Sequence, residues 1–163
     1  MAATPPRDLG FADSAPVKAE ASRVITARPT EVWAVLVDHR SWPRWFGPSL
    51  LSVEPTSTPE HGVGSTRRVR VRGGLTVTER FVAWDEPAVW AFTATDVKPR
   101  VFSALVERIT LDRVDEVSTR VTYRQAFSLP PLLRPVAPLL RRGLSRSLGP
   151  ALDGLDREVV ERR

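Results

Sequence analysis

The apolar residues of this chain change period at Leu129-Pro130-Pro131, and that change constrains the fold more than any other feature. Beyond it, Val136, Leu140, Leu144, Leu148, Leu152, Leu155 and Val159 recur at the spacing of one helical face. Before it, from Leu50 to Ser128, short runs alternate apolar and polar residues, the period of half-buried strands. A helix over about residues 135–161 would be roughly 40 Å long at 1.5 Å per residue, enough to lie across a whole sheet. Pro135 and Pro138 suit its start, whereas Gly149-Pro150 lies inside the pattern and is expected to kink the helix or split it.

The upstream elements follow from the same reading. Val17 to Ile25 predicts a first strand. Pro29-Thr30-Glu31 opens a short helix with Val32, Trp33, Leu36 and Val37 on its apolar face. Proline at the first position lacks only an N–H that would be unpaired there, and Glu31 complements the helix dipole. Ser41 to Phe46 predicts a second helical turn, stopped by Gly47-Pro48. Six strands follow: Leu50 to Pro55, Ser65 to Arg72, Leu75 to Trp84, Val89 to Thr95, Val101 to Leu111 and Ser118 to Ser128. At Gly73-Gly74 a two-residue loop would set Arg68 and Arg70 beside Val77 and Phe81. A three-residue loop with a bulge instead aligns Val69 and Val71 with Val77 and Phe81, and sets Arg67 across from Glu79. The order of strand, two short helices, six strands and one long helix is that of an α+β fold. It implies an antiparallel sheet with helices on one face. Residues 1–15 lack periodicity and read as a mobile tail, leaving one domain over 16–163.

Composition excludes several functions. The 163 residues include no cysteine, so disulfides, thiolate nucleophiles and cysteine metal sites are ruled out. His39 and His61 are the only histidines, and no third ligand is evident near Asp38-His39, so neither metal nor cofactor is expected. That pair reads as a helix end facing solvent, and His61 as a loop residue. No apolar run approaches a membrane span and no export signal is seen, which points to the cytoplasm. Net charge is +5, and of the 24 basic residues only Lys18 and Lys98 are lysine. No block of like charge appears, so this bias reads as arginine on ordinary solvated faces.

Five segments together resemble one family. They are Ile25-Thr26-Ala27-Arg28-Pro29-Thr30-Glu31-Val32-Trp33; Asp38 with Trp42 and Trp45; Glu79-Arg80-Phe81 before Trp84-Asp85-Glu86-Pro87; Ser118-Thr119-Arg120-Val121-Thr122; and the leucine-rich last helix. In order and spacing, over about residues 17–160, they resemble the START-like (SRPBCC, helix-grip) superfamily, which includes bacterial polyketide cyclase/dehydrase and lipid-transport proteins. The resemblance implies a curved antiparallel sheet of about seven strands wrapped around a long C-terminal helix, with two short helices after the first strand. It further implies a ligand-binding domain whose members bind, carry, cyclise or chaperone.

A curved sheet closed by one helix leaves a gap between them. By alternation its concave face presents Val69, Val71, Val77, Glu79, Phe81, Trp90, Phe92, Leu105, Glu107, Ile109, Val121, Tyr123, Gln125 and Phe127. The helix adds Leu140, Leu144 and Leu148, with Trp45 and Phe46 near one mouth. Glu79, Glu107 and Tyr123 are the candidate catalytic groups, because a carboxyl in an apolar cavity is poised for proton transfer. Against this, Arg67 and Glu79 read as a cross-strand ion pair near the sheet edge, and a one-residue slip would turn Glu107 out to solvent. Trp42 and Trp45 are candidate ligand contacts, and Trp84 and Trp90, flanking a turn, are expected to pack on each other.

The outer face would carry Arg68, Arg70, Arg72, Arg80, Arg108, Arg120 and Arg124. Its simple reading is a wet sheet face, its alternative a docking surface for an acidic partner, anionic lipid or RNA. A small hydrophobic or aromatic ligand, carried or sensed, is the first functional expectation. An aromatic polyketide cyclase or dehydratase is the second, and an interaction module working through the arginine face the third. Nucleic acid is not an expected partner, peripheral membrane contact stays open, and the chain reads as a monomer or a homodimer paired through the edge strand Leu50 to Pro55.

Overall fold

A computed structural model describes residues 4–163. A short helix α1 (Phe11–Ser14) precedes strand β1 (Val17–Ile25), helix α2 (Pro29–Val37), a 3-10 turn (His39–Ser41) and helix α3 (Trp42–Trp45). Strands β2 (Leu50–Pro55), β3 (Thr66–Val71), β4 (Leu75–Asp85), β5 (Val89–Lys98), β6 (Ala104–Arg113) and β7 (Thr119–Ser128) follow. A 3-10 turn (Pro131–Val136) leads into helix α4 (Ala137–Glu161). The strands form one antiparallel sheet in the order β1-β7-β6-β5-β4-β3-β2, with α4 against it. No helix among the described residues is long and apolar enough to cross a membrane.

Local chemistry sets these elements. At the start of α2 the Glu31 carboxylate accepts the Arg28 backbone N–H at 2.7 Å, satisfying one of the donors that a helix start leaves free. The β3–β4 hairpin uses the three-residue loop Arg72-Gly73-Gly74, whose glycines adopt φ of 90° and 87°. In this register Arg67 opposes Glu79 and Val69 opposes Val77. Val71 opposes Leu75, while Phe81 lies beyond, its N–H donating to the Ser65 carbonyl at 2.9 Å. The strip of residues is therefore as expected, and one pairing, that of Val71, differs.

Three other expectations change. Helix α4 is one segment across Gly149-Pro150, so the pair does not split it. Pro150 sits on the exposed side of the helix, where a carbonyl left without its N–H partner is open to solvent. Trp84 and Trp90 are register partners, but Trp84 sends its ring to Trp33 and Trp90 sends its ring to Trp42. The segment expected as a mobile tail is, from residue 4 on, packed on the sheet. Ala12 and Ala15 are buried against Val106 and Ala126 on the outer face. The Arg7 N–H donates to Thr93 Oγ1 at 2.9 Å, and Asp13 accepts Arg108 at 2.9 and 3.0 Å and also pairs with Arg124. Small apolar residues among polar ones have no period, yet they fit a sheet face whose own residues there are alanine and valine. Two of the seven outer-face arginines are thus covered, while Arg68, Arg70, Arg72, Arg80 and Arg120 are exposed.

The C-terminal half of α4 holds the molecule together. Leu148, Ala151, Leu152, Leu155 and Val159 are buried there in the main core. Gly154 lets this half approach α3 so closely that a Cβ would sit 1.9 Å from the Trp45 carbonyl oxygen. Glu158 then accepts Arg44 at 2.6 Å and Arg162 at 2.8 Å, and Arg162 donates to Asp38 at 2.7 Å.

Candidate functional site

Between the concave face and α4 lies a cavity of about 190 Å³. Its walls are apolar: Leu50 and Val53 from β2, Val69 and Val71 from β3, Leu75 and Val77 from β4, Phe92 from β5, and Leu105 from β6. Trp42 and Phe46, Phe102 before β6, and Leu144 of α4 complete them, and the exposed Ser49 and Ser147 mark the rim. One end is polar, made of Arg67, Glu79, Glu107, Tyr123 and Gln125.

Arg67 is 1% exposed, so its charge is fully taken out of water. Its Nε donates to Glu79 Oε2 at 2.6 Å, and its guanidinium carbon lies 4.4 Å from the Trp42 ring centroid and 4.7 Å from those of Trp90 and Phe92. These ring faces stabilise the cation where water cannot. Its Nη1 lies 3.4 Å from His39 Nδ1, which must accept, so His39 is neutral with its proton on Nε2. Burial first, and then the Arg67 charge, push His39 down to about 3. The expectation that His39 faces solvent is therefore corrected: it is buried and stacks on Phe81 at 5.4 Å. His61 is exposed, with Nε2 3.1 Å from the Val37 carbonyl oxygen.

Glu107 points inward, and the alternative of an outward slip is corrected by its pairing with Phe92 and Gln125. Tyr123 donates its hydroxyl to Glu107 Oε2, and Gln125 Nε2 donates to Glu107 Oε1 at 3.2 Å. Burial raises Glu107, and burial also pushes Glu79 up to about 7 against the opposing pull of Arg67. One permanent cation faces two buried carboxyls, and of the two Glu79 is the one in contact with Arg67. Gln125 Oε1 is buried at this end of the cavity without a partner among the described residues.

Of the other residues expected to bind ligand, Phe46, Arg67, Val69, Val71, Phe92, Leu105, Gln125 and Leu144 line the cavity. Phe81 and Trp90 stand behind Arg67 in the aromatic cluster, Trp45 packs behind Trp42 against α4, and Leu148 is wholly core. Leu140 lines a separate surface groove. Sequence reasoning passed over Leu50, Val53 and Phe102 as lining, and His39 as a partner of Arg67. A bulge between Leu50 and Ser52 breaks the alternation in β2, Phe102 precedes β6, and His39 sits in a turn without a period.

A family model described as polyketide cyclase / dehydrase and lipid transport matches residues 16–160. The chain belongs to this family. Uncharacterized proteins of Mycobacterium tuberculosis and Mycobacterium bovis are each 30% identical over 144 residues, covering 86% of this chain and 85% of theirs. The polyketide cyclase / dehydrase fold is also that of solved structures. A START superfamily protein of Mycobacterium smegmatis matches with a TM-score of 0.76 at 10% identity, over 90% of this chain and 99% of that one. The Zhui aromatase/cyclase of a Streptomyces species matches with a TM-score of 0.74 at 18% identity, over 89% and 94%. Norcoclaurine synthase of Thalictrum flavum, with dopamine and hydroxybenzaldehyde, matches with a TM-score of 0.68 at 15% identity, over 96% and 94%. At these identities the likeness is one of fold.

The buried histidine gives a pH signature. Unfolded, His39 takes up a proton below about 6.5; folded, it resists until about 3. The unfolded chain binds the extra proton within that window, so the His39 contribution to stability is lost as pH falls through it. Glu79 acts with the opposite sign, since its raised value makes the folded state hold more protons between about 4.5 and 7. His39→Gln isolates the first effect. Urea unfolding should show the advantage of the wild type over this variant shrinking by about 3 kcal/mol between pH 6.5 and about pH 4. Parallel stability profiles would show that His39 titrates normally.

Proposed function

We propose that the protein binds a small hydrophobic or aromatic molecule in this cavity, as a carrier or sensor. The observation that carries this is a mostly apolar cavity with an orphaned acceptor, Gln125 Oε1, at its polar end. A buried acceptor without a partner costs about 1–3 kcal/mol, and a guest hydroxyl or N–H would recover that. The volume, about 190 Å³, lies below the roughly 300–1,000 Å³ of drug-sized ligand pockets, which favours one or two rings or a short acyl chain. The family description, with its cyclases and lipid carriers, supports a guest of this class.

A second reading rests on the two buried carboxyls. Glu107, which burial raises, would serve as a general acid beside a guest, and Tyr123 beside it would hold a guest carbonyl. This is the proton transfer an aromatic cyclase or dehydratase needs, and the fold likeness to an aromatase/cyclase supports it.

Native mass spectrometry of freshly purified protein, followed by denaturing extraction, tests the first reading. A discrete adduct that extracts as an apolar molecule is expected. Leu144→Arg should weaken binding of that molecule at least tenfold, since it sets a charge in an apolar wall. Glu107→Gln should preserve binding; if it abolishes turnover of the guest at the same time, the second reading is favoured. The absence of an adduct, with no thermal shift from fatty acids or polycyclic aromatics, would refute an open cavity.

A further inference from the structure

We propose that the start of α4, with the turn before it, docks on an anionic lipid surface. Leu132 is 93% exposed, Leu139 73% and Val136 46%, in a protein whose other leucines of α4 are half-buried or buried. Val136, Leu139 and Gly143 fall at i, i+3 and i+7, the spacing of one helical stripe at the start of α4, and Leu132 stands on the 3-10 turn before it. Beside the stripe runs a surface groove whose lining, Val101, Leu129, Leu133 and Leu140 among it, is apolar throughout. An exposed apolar patch of this kind marks an interaction site.

Charge identifies the occupant. Arg134, Arg141, Arg142 and Arg146 are all exposed, and no acidic residue occurs between Ser128 and Asp153. By helical spacing Arg142 and Arg146 adjoin the leucine stripe on its outward side. Leucines that stand out into solvent, flanked by arginines whose long stems can lie along the boundary, have the pattern of an interfacial helix. The leucines enter the acyl boundary and the arginines meet anionic headgroups. A second copy of this chain fits poorly: the net charge is +5, and a symmetric contact would set these arginines against one another.

Leu144 lines both this groove and the ligand cavity, so the docked surface adjoins the cavity rim. An apolar guest would then pass between bilayer and cavity without crossing water. That route rests on the proposed binding function; the docking itself does not.

Vesicle flotation of the full chain tests the docking. The protein is expected to float with vesicles mixed equally from phosphatidylglycerol and phosphatidylcholine, to stay down with pure phosphatidylcholine, and to be released by salt. Leu132→Glu with Leu139→Glu, and separately Arg142→Glu with Arg146→Glu, should each weaken binding at least about tenfold. Because these side chains are exposed, unchanged thermal unfolding checks that the variants remain folded. Arg68→Glu with Arg70→Glu on the outer sheet face should bind as the wild type does. No flotation of the wild type, equal flotation on neutral vesicles, or unchanged flotation of the leucine variant would overturn the proposal. So would a dimer that Leu139→Glu dissolves, because a second copy would then occupy the face.

Discussion

Arg67→Ala is expected to destabilise the protein by about 3–5 kcal/mol, the cost of removing one partner of a buried ion pair. Arg67 is wholly enclosed, holds Glu79 at 2.6 Å, and lies within 5.4 Å of the ring centroids of Trp42, Phe81, Trp90 and Phe92. Alanine would leave a carboxylate without a cation in an apolar interior, and a void among four aromatic rings. Without that cation burial would raise Glu79 further, since the Arg67 charge is what pulls it down. The pair as a whole contributes less than its rupture costs, because both charges had to be desolvated. Arg67→Leu combined with Glu79→Leu should therefore recover a large share of the loss. Urea unfolding of the two single variants and the double variant measures this as a coupling energy. An Arg67→Ala midpoint that matches the wild type would mean the guanidinium is not enclosed.

Gly154→Ala is expected to cost about 3 kcal/mol, against the local preference of the helix. In isolation alanine favours a helix over glycine by about 0.8–1.0 kcal/mol. Here the new methyl would stand 1.9 Å from the Trp45 carbonyl oxygen and 2.8 Å from its carbon, so α3 and α4 would have to separate. Both atoms are backbone, and no side-chain rotation relieves the contact. Gly143→Ala provides the comparison, since nothing lies within 4 Å of its added methyl and it should stabilise by about 0.5–1 kcal/mol. Thermal unfolding of the two variants should shift in opposite directions. Equal shifts would place Gly154 away from α3. The site is also involved, because the residues on either side of Trp45 carry Trp42 and Phe46 to the cavity wall.

The parts of the fold written in repeated patterns were legible before any coordinates. Alternation in β3 and β4 aligned Val69 with Val77 and Arg67 with Glu79, since a slip by one residue would have driven Arg68 and Arg70 into the core. The same alternation placed Glu107, Tyr123 and Gln125 on the concave face. What was illegible lacks a period. His39 reaches Arg67 from a 3-10 turn, and its burial depends on Phe81, more than 40 residues along the chain. Residues 4–15 are held by Asp13 and by alanines that match a sheet face, which is complementarity between distant segments. Pattern also could not tell core from cavity: Leu140, Leu144 and Leu148 share a helical face, yet one lines a surface groove, one the cavity and one neither.

Helix α4 divides its labour along its length, with Gly149-Pro150 at the seam. From Leu148 onward it is core, and substitutions there are constrained by the fold itself. From Ala137 to Ser147 it is half-buried or exposed and carries none of the buried core residues, so its local opening costs little of the global stability. The fold constrains substitutions in that half less than in the other. A lineage could therefore change what enters the cavity, or which surface the protein visits, by drift in three helical turns, leaving the rest of the sequence under unchanged selection.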